Sequence, residues 1–157
     1  MKIEIVNEQF QLPTLWQIVR DIRATLGVRF AHLDPQLLDA ITLTVSELAE
    51  NIVKFAAPDA SHLPSIELEA TPTEIRVRSE NTVRSSEDAQ VVLTTIERIR
   101  SHDNPTALFA QSIEESMDRR SEGSRQGFYQ IAAVAGFRLE GELVGDRLVV
   151  VAERRLK

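Results

Sequence analysis

The apolar positions of this chain change period several times, and each change marks a new element. Lys2 to Val6 alternates weakly between apolar and polar residues, as a short edge strand does. Leu15, Ile18, Val19, Ile22 and Leu26 recur at helical spacing within Thr14 to Leu26, with Gly27 as the expected stop. Asp34-Pro35 reads as an N-cap followed by proline at the first helical position. It opens a long helix from Pro35 to about Ala57, ended near Pro58. Ser65 to Ala70 and Glu74 to Ser79 alternate with period two around the connector Thr71-Pro72-Thr73, which predicts an antiparallel hairpin. Ser85-Ser86-Glu87-Asp88 caps a helix reaching about Arg100, and Asp103-Asn104-Pro105 starts another that ends near Met117. Asp118 to Gln126 is a polar, glycine-bearing loop and Gly127 to Ala135 is helical again. Phe137 to Leu143 and Arg147 to Ala152 form a last hairpin, turning through Gly145-Asp146.

Hairpins interspersed with helices predict an α+β fold: a two-layer α/β sandwich whose mixed, mostly antiparallel sheet carries helices on one face. The 157 residues suit one domain over 1–157, long enough to bury a sizeable core. No cysteine is present, which excludes disulfide frameworks, thiolate metal sites and cysteine nucleophiles and fits a reducing, cytoplasmic setting. The first residues show no signal-peptide pattern, and the longest apolar runs, such as Leu148 to Ala152, are too short for a bilayer. The net charge of -6, without a basic footprint, argues against a general nucleic-acid binder; the pairs Arg119-Arg120 and Arg154-Arg155 stand beside acids and read as solvated surface.

The helix from Pro35 carries the most information. Ile41, Val45, Leu48, Ile52 and Phe55 step by four and three and form one apolar stripe that must face the core. Glu47, Asn51 and Lys54 step the same way and form a second stripe, rotated by about 100° from the first. A carboxylate, an amide and an ammonium therefore line up on the shoulder of the buried face, at the rim of the sheet–helix layer. By spacing alone the stripe is equally an ordinary solvated face. Downstream, Glu122-Gly123-Ser124-Arg125-Gln126-Gly127-Phe128 leads into an apolar helix, and a glycine at a helix start lets an anion approach backbone N–H groups. Two glycines four apart also suit a plain loop.

The run Ser46-Glu47-Leu48-Ala49-Glu50-Asn51-Ile52-Val53-Lys54 resembles the N-box of the GHKL (Bergerat-fold) ATPase superfamily, a Glu and an Asn four apart with a basic residue three further on. The Gly123–Gly127 segment resembles that superfamily's second glycine box, and the order of elements matches over nearly the whole chain. The resemblance is closest to anti-sigma-factor serine kinases, with their histidine-kinase-like ATPase domain. It implies Mg·ATP as ligand, with Asn51 completing Mg coordination, Lys54 approaching phosphate, Glu47 as general base, and Gly123 and Gly127 as the lid. It also implies a STAS-domain anti-sigma-factor antagonist as the partner phosphorylated on serine, and a possible homodimer.

The chain departs from the family at the first glycine box, an Asp-x-Gly-x-Gly whose Asp bonds the adenine amino group. Ile75 to Val83 has neither those glycines nor that Asp; Glu80 or Asn81 are the candidate substitutes. The loss opens an alternative, a protein-binding module that keeps the fold without nucleotide turnover. His32, His62 and His102 lack metal spacing, Ser46, Ser61 and Ser124 lack a nucleophile-elbow context, and Trp16 suits core or interface packing.

Overall fold

A computed structural model describes residues 2–6, 12–57, 62–118 and 126–157. The elements run β1 (Lys2–Val6), α1 (Leu12–Arg29), α2 (Pro35–Phe55), β2 (Ser65–Ala70), β3 (Glu74–Thr82), α3 (Ser86–Arg100), α4 (Pro105–Asp118), α5 (Gln126–Ala133), β4 (Arg138–Val144) and β5 (Arg147–Arg155). This is a mixed α+β fold. Its five strands stand in the order β1-β2-β3-β5-β4, and every pairing is antiparallel, so the expected parallel component is not found among the described residues. Each strand–strand connection returns the chain beside or two places from its predecessor, and no βαβ crossover is needed.

The register places Ile66, Leu68, Ile75, Val77, Ser79, Asn81, Leu139, Leu148, Val150 and Ala152 on one face, and all are buried. The other face carries charge: Arg76 pairs with Glu153 at 3.3 Å, and Glu80 is held by Arg78 at 2.6 Å and by Arg147. Such alternation is what an antiparallel sheet with one covered face requires. The helices supply the cover. Ile41, Val45, Leu48 and Ile52 of α2 are fully buried, as the apolar stripe predicts, and Phe55 is half-buried. Ile96 and Leu93 of α3 come so close to Gly141 of β4 that a Cβ there would lie 2.9 and 3.0 Å from them.

Caps act where the sequence places them. Asp34 Oδ1 accepts from the Gln36 amide at 2.7 Å and Ser85 Oγ accepts from the Asp88 amide at 3.1 Å. One expected stop fails: α1 runs through Gly27 to Arg29. Ile22, Leu26 and Phe30 remain buried at intervals of four across that point, and packing of this stripe outweighs the roughly 1 kcal/mol that a helical glycine costs. β3 and β5 extend beyond the expected Ser79 and Ala152, because they pair with each other over their full lengths, from Glu74↔Arg155 to Thr82↔Arg147. No helix among the described residues is long and apolar enough to cross a membrane.

Candidate functional site

The polar stripe of α2 lies where its spacing predicts. Glu47, Asn51 and Lys54 are each half-buried, beside the buried Leu48 and Ile52. The C-terminal end of α2 is stitched to the end of β3: the Ala57 amide donates to the Thr82 carbonyl at 2.8 Å, the Arg84 amide to the Phe55 carbonyl at 3.2 Å, and Ala56 bridges Val83. Arg84 Nη2 also donates to the Lys54 carbonyl. These bonds fix the last turns of α2, and hence Asn51 and Lys54, relative to the inner face of β3.

The site's defining contact joins residues 80 positions apart. Gly127, buried in the first turn of α5, lies against Glu47 so closely that a Cβ there would collide with Oε2 and sit 3.2 Å from Cδ. A methyl at 127 would require the Glu47 carboxylate, the free end of its side chain, to swing aside. The two segments singled out by motif, the α2 stripe and the second glycine of the loop, thus meet. Gly123 lies outside the described residues, as do Ser61, Ser124 and Arg119-Arg120.

Burial and the neighbouring Glu50 raise the pKa of Glu47 above the ordinary carboxylate range, with Lys54 opposing the shift. A carboxyl so placed holds a proton more readily than a solvated one. Asn51 presents a second anomaly: its side-chain Nδ2 is buried and has no hydrogen-bond partner. Unpaired buried amides are rare and costly, and they mark places where something else completes the bonding. Lys54 Nζ lies 3.4 Å from Glu50 Oε1, one helical turn back, so its charge is shared with a residue the stripe omits.

Of the two candidates for the missing Asp, the structure separates them by face. Glu80 points to the charged outer face, where its side chain is only 12% exposed and both oxygens are taken by Arg78 and Arg147. Asn81 points inward, is buried, and donates from Nδ2 to the Thr82 carbonyl at 3.3 Å. Inward-facing Ser79 is buried as well. The inner face at the end of β3 is therefore polar but uncharged.

Beside this cluster lies a junction of three helices that sequence spacing did not reveal. Arg98 of α3 forks onto Glu115 of α4 at 3.1 and 3.0 Å and donates to Tyr129 Oη of α5 at 3.3 Å. The acceptors raise the pKa of its guanidinium further above its ordinary value, Glu115 foremost. Gln126 of α5 bonds to Ser112 of α4. Nothing in the spacing of these residues along α3, α4 and α5 singles them out, because the helices are joined only by the tertiary packing. His102 acts locally, with Nδ1 accepting from the Asn104 amide at 3.1 Å. No group of three or more His, Cys, Asp or Glu suited to a metal occurs among the described residues. No protein-family model matches the chain, and no curated protein matches it significantly.

Proposed function

We propose that the chain is a Bergerat-type nucleotide-binding domain acting as a cytoplasmic signalling regulator, similar to anti-sigma-factor serine kinases, which binds Mg·ATP and phosphorylates a STAS-type partner on serine. The observation that carries this reading is the contact of Glu47 with Gly127. It unites the two segments that resemble the N-box and the second glycine box, on the covered side of an antiparallel sheet. Glu47 serves as the general base: it is half-buried, and its raised pKa strengthens it as a proton acceptor for a serine hydroxyl. Gly127, by lacking a side chain, supplies the room in which the Glu47 carboxylate sits at the start of α5.

The residues fit a magnesium ion in a limited way. Mg takes oxygen ligands and is commonly held by one or two protein groups together with substrate phosphates. Asn51 would hold it through Oδ1, and its buried, unsatisfied Nδ2, a donor, would find its acceptor in a phosphate oxygen, while the ion would neutralise charge on the phosphates. Lys54 would approach the phosphates once released from Glu50.

A second reading is favoured by the end of β3. With Glu80 turned outward and only Ser79 and Asn81 facing in, the first glycine box has lost both its carboxylate and its glycines. A protein-binding module without nucleotide turnover then remains. Transfer of labelled γ-phosphate to a STAS-domain serine separates the two. The kinase reading expects transfer that needs Mg and falls by roughly 10²-fold or more in Glu47→Gln. Partner binding that is indifferent to Mg·ATP, with no transfer, would establish the module.

A further inference from the structure

Gln126 is the first residue of α5, and its side chain reaches across to α4. Gln126 Nε2 donates to the Ser112 carbonyl at 3.2 Å, while the single Ser112 hydroxyl proton goes to the Phe109 carbonyl at 2.7 Å and leaves Gln126 Oε1, at 3.2 Å, as its longer acceptor. Ser112 is buried, so water competes little for these bonds. One turn along, Arg98, Glu115 and Tyr129 make the next connection, and Gln111 Nε2 supports Glu115 at 3.2 Å. Residue 112 on α4 meets 126 on α5 directly, whereas 115 and 129 are joined through Arg98 of α3. The next residue after Gln126 is Gly127, whose Cα abuts Glu47. The first turn of α5 is thus gripped from two sides, by α4 through Gln126 and by α2 through Gly127.

We propose that Gln126 is a positioning residue whose bond to the Ser112 carbonyl ties the start of α5 to α4, setting how closely the backbone at Gly127 approaches the Glu47 carboxylate on α2. The proposal rests on reading Glu47 and Gly127 as parts of one site. Burial of Phe128, Tyr129 and Ile131 seats α5 in the core, and the polar bond of Gln126 adds a directional tie at its first residue. Arg98 and Tyr129 fix the second turn, leaving Gln126 as the side chain that binds the first turn to α4.

A double-mutant cycle on thermal unfolding, without nucleotide, tests the clamp. Gln126→Met keeps length and apolar contact but removes the bond to the Ser112 carbonyl and the longer acceptor for its hydroxyl. With the clamp intact, Gly127→Ala drives a methyl into the Glu47 carboxylate and lowers Tm. In the Gln126→Met background α5 can yield, so Gly127→Ala should cost at least roughly 2–4 °C less. It could even raise Tm there, since alanine favours helix over glycine. Ser112→Ala, a milder change that leaves the carbonyl bond, should shift the cycle in the same direction by a smaller amount. Equal losses for Gly127→Ala in all three backgrounds overturn the proposal. Mg·ADP added to the same proteins separates the two readings. A coupled cycle without any Mg·ADP effect keeps the clamp and removes the nucleotide site; an additive cycle with a Mg·ADP effect does the reverse.

Discussion

Replacing Asn51 by leucine should have two effects of opposite sign. The side chains share a branch at Cγ and are close in volume, so Asn51→Leu removes the polar atoms with little change of shape. In the unliganded protein the buried Nδ2 has no partner, and a buried donor left unsatisfied costs about 1–3 kcal/mol. Asn51 is half-buried rather than fully enclosed, which places the relief near 1 kcal/mol, the lower end of that range. For a chain of this size that raises Tm by roughly 2–4 °C. The same substitution deletes the oxygen that would hold magnesium on the proposed reading. On that reading, a nucleotide present at about 100 times its Kd would stabilise the native wild-type protein by about 2.7 kcal/mol, or on the order of 5–10 °C. That increment should vanish in the variant. Differential scanning fluorimetry with Mg·ATP, with ATP plus EDTA, and without ligand measures both effects. A fall in the unliganded Tm would mean that the amide is a satisfied structural group. A retained magnesium-dependent shift would remove Asn51 from the metal site.

Two further perturbations test the site and the core. The folded-state pKa of Glu47 is raised, so its contribution to stability is full below the ordinary carboxylate range and is lost as pH rises through the folded value. Glu47→Gln should therefore raise Tm at neutral pH, with the gain fading towards about pH 4 as the native carboxyl takes up its proton; a gain constant from pH 4 to 8 would contradict the burial argument. Leu48, 1% exposed on the stripe adjoining Glu47, should cost about 2–5 kcal/mol on truncation to alanine. Urea unfolding would show this as a lowered midpoint, and a loss under about 1 kcal/mol would mean that α2 does not pack as described.

Much of the fold was legible because its elements are strongly periodic and its caps are local. The α2 stripe, the two hairpins and the caps at Asp34 and Ser85 depend on residues within a few positions of each other. Gly27 misled because a local stop signal competes with a buried stripe that carries on to Phe30. The end of β3 was cut short because Ser79 and Asn81 face inward without being apolar, so alternation of apolar residues ends before the strand does. Within the site, the shoulder position of Glu47, Asn51 and Lys54 followed from helix geometry. The pairing of Lys54 with Glu50 follows from the same geometry, at an interval of four, but lies off the stripe. The approach of Gly127 to Glu47, and the choice between Glu80 and Asn81, depend on how whole elements stack and on strand register. Neither is encoded in local spacing.

The strand order also carries a kinetic consequence. β2 and β3 form one hairpin with near neighbours, as do β4 and β5, but the sheet closes only when β3 meets β5, with Thr82 opposite Arg147 and Glu74 opposite Arg155. That join closes a loop containing α3, α4 and α5, and the entropy of closure is spent before the long-range pairs reward it. Until then β3 is an open edge able to template another chain. Glu47 precedes the join in sequence and Gly127 lies within the loop it closes. The candidate site is likewise a nonlocal contact, between residues 80 positions apart, and a chain arrested with two separate hairpins is expected to have secondary structure without the site.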